Sequence, residues 1–213
     1  MTRFLKVLKV LTIVAIPLYT TVSCKKGRAN FILAGTITDG SFSTNLNNCS
    51  ITLKKIPAGG GAEIEIQTIS SSDGTYRFEF ERDQSESYKL IVTKSNYFKL
   101  DETIYFSELS IKSETTKNYT TYAKSWAKLR FISTNPQPGD QLKYIKTKGL
   151  SDCEECCTAD YVLITEVPDT TIYCINNGNG EYSLNYWKLG TTISGSKSAV
   201  TTPFDTVDIV VNY

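Results

Sequence analysis

The sequence predicts an all-β protein: two consecutive antiparallel β-sandwich domains after a signal peptide. Three observations carry that expectation. Apolar and polar side chains alternate with a period of two through most of the chain. Asp-Gly pairs and a Pro/Gly cluster separate the alternating runs, as turns separate short strands. No comparable run holds the 3.6-residue period of an amphipathic helix.

The elements follow in order. Phe31, Leu33, Gly35 and Ile37 share one face of a first strand, and Asp39-Gly40 turns the chain. Ile51 and Leu53 open a second strand, with Lys54-Lys55 outward near its end. Gly59-Gly60-Gly61 lacks the Gly-Lys-Ser/Thr of a phosphate loop and reads as a hairpin tip. Glu63-Ile64-Glu65-Ile66-Gln67 alternates throughout, and Ser72-Asp73-Gly74 is a turn in which Asp-Gly takes positive φ. Tyr76, Phe78 and Phe80 face inward while Arg77, Glu79 and Glu81 face water. Tyr88, Leu90 and Val92 continue the pattern, and Ile104 with Phe106 marks another strand.

A second segment begins at Ala123 to Trp126, where Ala127, Leu129 and Phe131 alternate before Asn135-Pro136-Gln137-Pro138-Gly139-Asp140 interrupts. Further strands are expected over 141–147, 159–167, 170–176, 181–189 and 204–213, the last carrying Val207, Ile209, Val211 and Tyr213 on one face. Residues 30–122 and 123–213 therefore read as two sandwiches, a size normal for a domain. One elongated sandwich is the alternative, because no long linker separates the halves.

The start of the chain is an address. Arg3, Lys6 and Lys9 precede an uncharged stretch from Val10 to Val22 that is too short for a bilayer-spanning helix and contains Pro17. A basic start, a short apolar run and small residues before a break make an export signal. The break, Thr21-Val22-Ser23-Cys24, resembles the bacterial lipoprotein signal, with Thr21 where that family most often has leucine. The resemblance implies a signal peptide over 1–23, a diacylglycerol on Cys24 and a lipid-anchored tether over 24–29. Lys25, in place of an aspartate, implies the Gram-negative outer membrane and leaves the facing side open. Several acyl chains hold a protein firmly, at roughly 0.8 kcal/mol per buried CH₂.

The first sandwich resembles the carboxypeptidase-regulatory-like family, a transthyretin-like β-sandwich. The residues that carry this are Ala34-Gly35-Thr36-Ile37-Thr38-Asp39-Gly40, Cys49-Ser50-Ile51-Thr52-Leu53, Ser72-Asp73-Gly74-Thr75-Tyr76-Arg77-Phe78 and Tyr88-Lys89-Leu90-Ile91-Val92. The resemblance implies an accessory module with no catalytic residues of its own.

Composition narrows the chemistry. The 213 residues include no histidine, which removes Ser-His-Asp and Cys-His catalysis and His-ligated zinc. A formal charge of +1 is not that of a dedicated nucleic-acid binder. Cys153, Cys156, Cys157 and Cys174 are either disulfide partners or four thiolates around zinc, and the export signal favours disulfides, with connectivity open. With Cys24 acylated and Cys49 added to these four, five cysteines remain, so at least one has no intrachain partner. No cofactor and no metal is expected.

Two Ser-x-x-Lys matches, Ser125 to Lys128 and Ser194 to Lys197, lie in strand-like sequence, where an offset of three points the side chains to opposite faces. Trp126, Trp187, Tyr182 and Tyr186 are candidates for an aromatic platform for sugar or peptide. Tyr182, Leu184 and Tyr186 share core parity, so Trp187 is the candidate ligand contact. Asp169-Thr170-Thr171 and Asp205-Thr206-Val207 resemble an Asp-Thr-x acceptor for O-glycosylation at Thr170 and Thr206.

The expected function is that of a non-enzymatic outer-membrane lipoprotein that binds or scaffolds, its partners the membrane, through the lipid, and a protein or glycan. The alternative is a subunit or accessory protein of a lipoprotein pilus or fimbria, with Arg28 as a processing site. A second alternative is a carboxylate-based hydrolase without a sequence signature.

Overall fold

A computed structural model describes residues 29–151, 153, 155–165 and 169–213. The leader, Cys24 and Arg28 lie outside the described residues. In the first half the strands are β1 (Asn30–Asp39), β2 (Thr44–Asn45), β3 (Cys49–Pro57), β4 (Ile64–Ser71), β5 (Thr75–Glu81), β6 (Ser85–Thr93), β7 (Leu100–Tyr105), β8 (Thr115–Thr116) and β9 (Tyr119–Thr121). The second half has β10 (Lys124–Ile132), β11 (Gln141–Lys148), β12 (Val162–Thr165), β13 (Asp169–Asn177), β14 (Glu181–Lys188), β15 (Ser194–Val200) and β16 (Thr206–Asn212). A short 3₁₀ turn, Phe106–Glu108, interrupts the strands.

Each half is a two-sheet sandwich. In the first, β1 sits among β2, β5, β8 and β9 and packs on a sheet ordered β4-β3-β6-β7. In the second, a β13-β10-β16 sheet packs on β12-β11-β14-β15. The two halves repeat one topology. Their first strands, β1 and β10, pair antiparallel with β5 and β13 and parallel with the closing strands β8–β9 and β16. The parallel pairs depart from the purely antiparallel expectation, because a period of two shows which residues face inward but not which strand lies alongside. The structure also adds β15, whose Ser-Gly-rich sequence carries no strand-like alternation. It is an edge strand paired only with β14 and largely exposed, so it carries little apolar pattern.

The alternation assigns the cores correctly. Phe31, Leu33, Ile37, Ile51, Leu53, Phe78, Tyr88 and Leu90 are buried in one cluster. Ala127, Leu129, Phe131, Leu142, Tyr144, Tyr182, Leu184 and Val211 are buried in another. The predicted Asp73-Gly74 turn forms as expected. Gly74 has φ +79°, and Asp73 Oδ1 accepts from the Thr75 N–H at 3.0 Å. Gly35 marks the parallel seam of the first sandwich, because a Cβ there would lie 1.7 Å from the Lys117 carbonyl oxygen. No chain linker separates the sandwiches. Ala123 is fully buried, its N–H donates to Ser41 Oγ at 3.0 Å, and its carbonyl accepts from Gly178 N–H at 2.8 Å. Asn179 Nδ2 donates to Ser41 O at 2.7 Å, and the Phe204 ring lies against Phe42 and Tyr97 at centroid distances of 6.2 and 5.4 Å.

At the far end of the second sandwich, Lys188 donates to Asp140 Oδ2 at 2.7 Å. That hydrogen bond, with the Gln137 N–H, holds the Asp140 carboxyl below the usual aspartate range. A lowered folded value means the pair stabilises the fold above the ordinary aspartate pKa and loses that effect on acidification. Asp140→Asn is therefore expected to lower the urea midpoint at pH 7, with the gap to the native chain shrinking as pH falls below about 3.9. In the core, Phe131 is fully buried with its ring 4.7 Å from that of Tyr144. Phe131→Ala is expected to cost about 3–5 kcal/mol in chemical denaturation.

Candidate functional site

The connection from β11 to β12, residues 149–161, is the main irregular segment of the second sandwich, and it is braced at several points. Lys146 lies in the interior and donates from Nζ to the carbonyls of Leu150 and Cys157, both at 2.6 Å. Asn176 Oδ1 accepts the Leu150 N–H at 2.9 Å. Cys157 is bonded to Cys174, which is fully buried on β13, so this bridge ties the loop to the opposite sheet. Cys153 is bonded to Cys156 within the loop. The cysteine cluster is thus a disulfide brace, and its thiols are not open for a metal. Cys49 is the leftover cysteine, free and buried in the first sandwich, where burial pushes its thiol pKa up.

The braced loop delivers Tyr161 to the outward face of the β12-β11-β14-β15 sheet. Strand register places Leu163, Lys143, Trp187 and Ser194 in one row across that face. Their neighbours Leu142, Tyr144 and Ile164 are buried on the other side, as alternation requires. The Tyr161 and Trp187 rings meet edge-to-face, with centroids 5.7 Å apart at 86°, and Lys143 Nζ sits 4.1 Å from the Tyr161 centroid. Tyr161 is 56 % exposed and Leu163 50 %, while Trp187 is half-buried. In the next register row, Asn185 Oδ1 accepts from Ser196 Oγ at 2.7 Å.

Trp187 therefore lies where parity put it, on the outer face. The larger platform does not assemble. Trp126 belongs to the β13-β10-β16 sheet, and Tyr182 is fully buried in the core. Lys143 and Leu163 sit between inward-facing neighbours, so parity turns them outward, whereas Tyr161 precedes β12 beside the exposed Asp160 and no alternation points to it. Ser125 is buried and hydrogen-bonded to Asn176 O and Thr201 Oγ1, whereas Lys128 faces out toward Asp208, so this Ser-x-x-Lys pair does not converge. Thr206 is exposed at the start of β16. The Thr170 hydroxyl oxygen is enclosed, with no partner among the described residues, so a glycosyl donor does not reach it in the folded chain.

No family model matches the chain, and no curated protein matches it. Solved structures similar to it include a variant of the shaft pilin SpaA from Lactobacillus rhamnosus GG, at 9 % identity over 86 % of this chain and 98 % of that one, with a TM-score of 0.37. Another is GBS52, the minor pilin of Streptococcus agalactiae, at 10 % identity over 85 % and 94 % of the two chains, with a TM-score of 0.32. These neighbours are all-β proteins, and likeness at this level carries no conclusion about the role of this chain.

Exposure sets the order in which the bridges open. Cys153 is exposed and Cys174 is fully buried. A small dithiol is expected to reduce Cys153–Cys156 before Cys157–Cys174, read by alkylation and peptide mass. Replacing Cys157 and Cys174 by serine removes the bridge with a sequence separation of 17. That double change is expected to cost about 3 kcal/mol of stability.

Proposed function

We propose that the chain is a non-enzymatic lipoprotein of the outer membrane, anchored through Cys24, whose two sandwiches form a binding scaffold. The observation that carries this reading is the linker-free junction at Ala123. It holds the aromatic face of the second sandwich at a fixed orientation to the first sandwich. Disulfide bracing of a surface loop suits an oxidising compartment outside the cytoplasm. The first sandwich serves as a carboxypeptidase-regulatory-like, transthyretin-like accessory module, and the second repeats its strand order. Intact mass of the native protein from its membrane fraction tests the address. A chain starting at Cys24 with added acyl mass is expected, gaining two alkylations per bridge on reduction. An unacylated chain with another start would overturn the anchor.

A second reading, a subunit of a surface fibre, is favoured by the repeated topology. The β6–β7 connection, which contributes Tyr97 to the junction, corresponds to the β14–β15 turn at the free end of the second sandwich. That turn exposes Leu189 at 40 % and Ile193 at 42 %. A further copy would stack there as the second sandwich stacks on the first. The names of the structural neighbours describe such a role for those proteins, but it is the repeat that favours it for this chain. Assembly that rises with concentration in size-exclusion chromatography, and is lost in Leu189→Asp, is the expected signature. A monomer at every concentration would remove this reading.

A further inference from the structure

We infer that the outward face of the β12-β11-β14-β15 sheet binds an acidic polysaccharide, with sugar rings stacking at the Trp187–Tyr161 corner and their carboxylate or sulfate groups meeting Lys143. The inference rests on the binding-scaffold reading and names its ligand class. Two perpendicular aromatic rings, one half-buried and one largely exposed, offer both a face and an edge to the C–H side of a pyranose. Around them the sheet presents hydroxyls and an amide, from Ser194, Ser196 and Asn185. These groups match sugar hydroxyls, which both donate and accept.

The charge pattern sets the sign of the ligand. On the corresponding face of the first sandwich, Lys54 and Lys89 both pair with Glu63, and Lys89 also reaches Asp101. On the other sheet of the second sandwich, Lys128 pairs with Asp208 and Arg130 with Asp169. Lys143 has no carboxylate in ion-pair range among the described residues and rests on an aromatic ring instead. The repeated fold thus carries a self-neutralised lattice on one copy and, on the other, a cation with no ion-pair partner among the described residues, beside exposed aromatics. The site is also held in place before any ligand arrives. Lys146, Asn176 and the Cys157–Cys174 bridge fix the loop that ends in Tyr161, which lowers the ordering cost of binding.

The test uses the mature chain with both bridges intact, in affinity electrophoresis through gels containing polygalacturonate, chondroitin sulfate or uncharged dextran. Retardation by an acidic polymer, weakening with added salt, is expected, with little by dextran. Tyr161→Ala and Trp187→Ala are each expected to weaken retention about tenfold. Lys143→Gln should abolish the preference for acidic over neutral polymer, and Lys143→Arg should keep it. Circular dichroism confirms that the variants fold, and the exposed Tyr161 keeps the test valid if Trp187→Ala does not. Retention by neither acidic polymer, equal retention of dextran, or retention unchanged in Tyr161→Ala would each overturn the inference, as would capture of peptides alone on an array. The acylation state of Cys24 is read separately by mass, so failure here is distinguishable from failure of the anchored-scaffold reading.

Discussion

Ala123 is the point on which the arrangement of the molecule depends. It has no exposed surface, both its backbone hydrogen-bonding groups are engaged, and the residue after it, Lys124, donates its N–H to Asn96 O at 2.8 Å. A chain so tied cannot act as a hinge, because bending it would leave buried backbone groups unpaired. Ser41 is the receiving side of the joint. It accepts from Ala123 and Asn179, and its own N–H donates to Asp39 Oδ1 at 3.0 Å. Asp39 in turn accepts from the Tyr97 hydroxyl at 2.6 Å. Burial and the Asp39 carboxylate push the Tyr97 phenol well above its ordinary pKa, so it remains a donor at any physiological pH.

With the joint fixed, the difference between the two sandwiches becomes informative. Both use one strand order, yet they finish their outward faces in different ways. The first covers its four-stranded sheet with Lys54, Lys89, Glu63 and Asp101 in mutual ion pairs at the surface. Exposed pairs of this kind contribute little to stability and hold little for a ligand. The second replaces a Gly-rich hairpin tip with a long disulfide-braced loop and sets Tyr161 beside Trp187. Loops that vary on a constant scaffold are where recognition most often resides.

Much of this was legible in the sequence and some of it could not be. Burial of one face in water leaves a period of two, so Phe31 to Ile37, Tyr76 to Phe80 and Ala127 to Phe131 declared their strands and inward faces. Asp73-Gly74 declared its turn, because few residue pairs tolerate positive φ so readily. β15 was silent, since an edge strand of Ser and Gly buries almost nothing and so needs no apolar period. The parallel closing pairs were silent because pairing direction is a long-range property. The cysteine spacing indicated a disulfide cluster, but connectivity depends on which strand passes the loop, and only the fold brings Cys174 to Cys157. Trp187 was legible by parity. Parity also turns Lys143 outward, but its meeting with Trp187 depends on strand register, and Tyr161 reaches them only through the brace of the loop.

At the centre of the structure, the two sandwiches form one rigid scaffold about Ala123. Backbone residual dipolar couplings of the weakly aligned mature chain test it directly. A single alignment tensor is expected to fit the amides of both sandwiches. Two tensors of different magnitude or orientation would mean that the halves reorient about Ala123, and the scaffold would be two modules on a swivel.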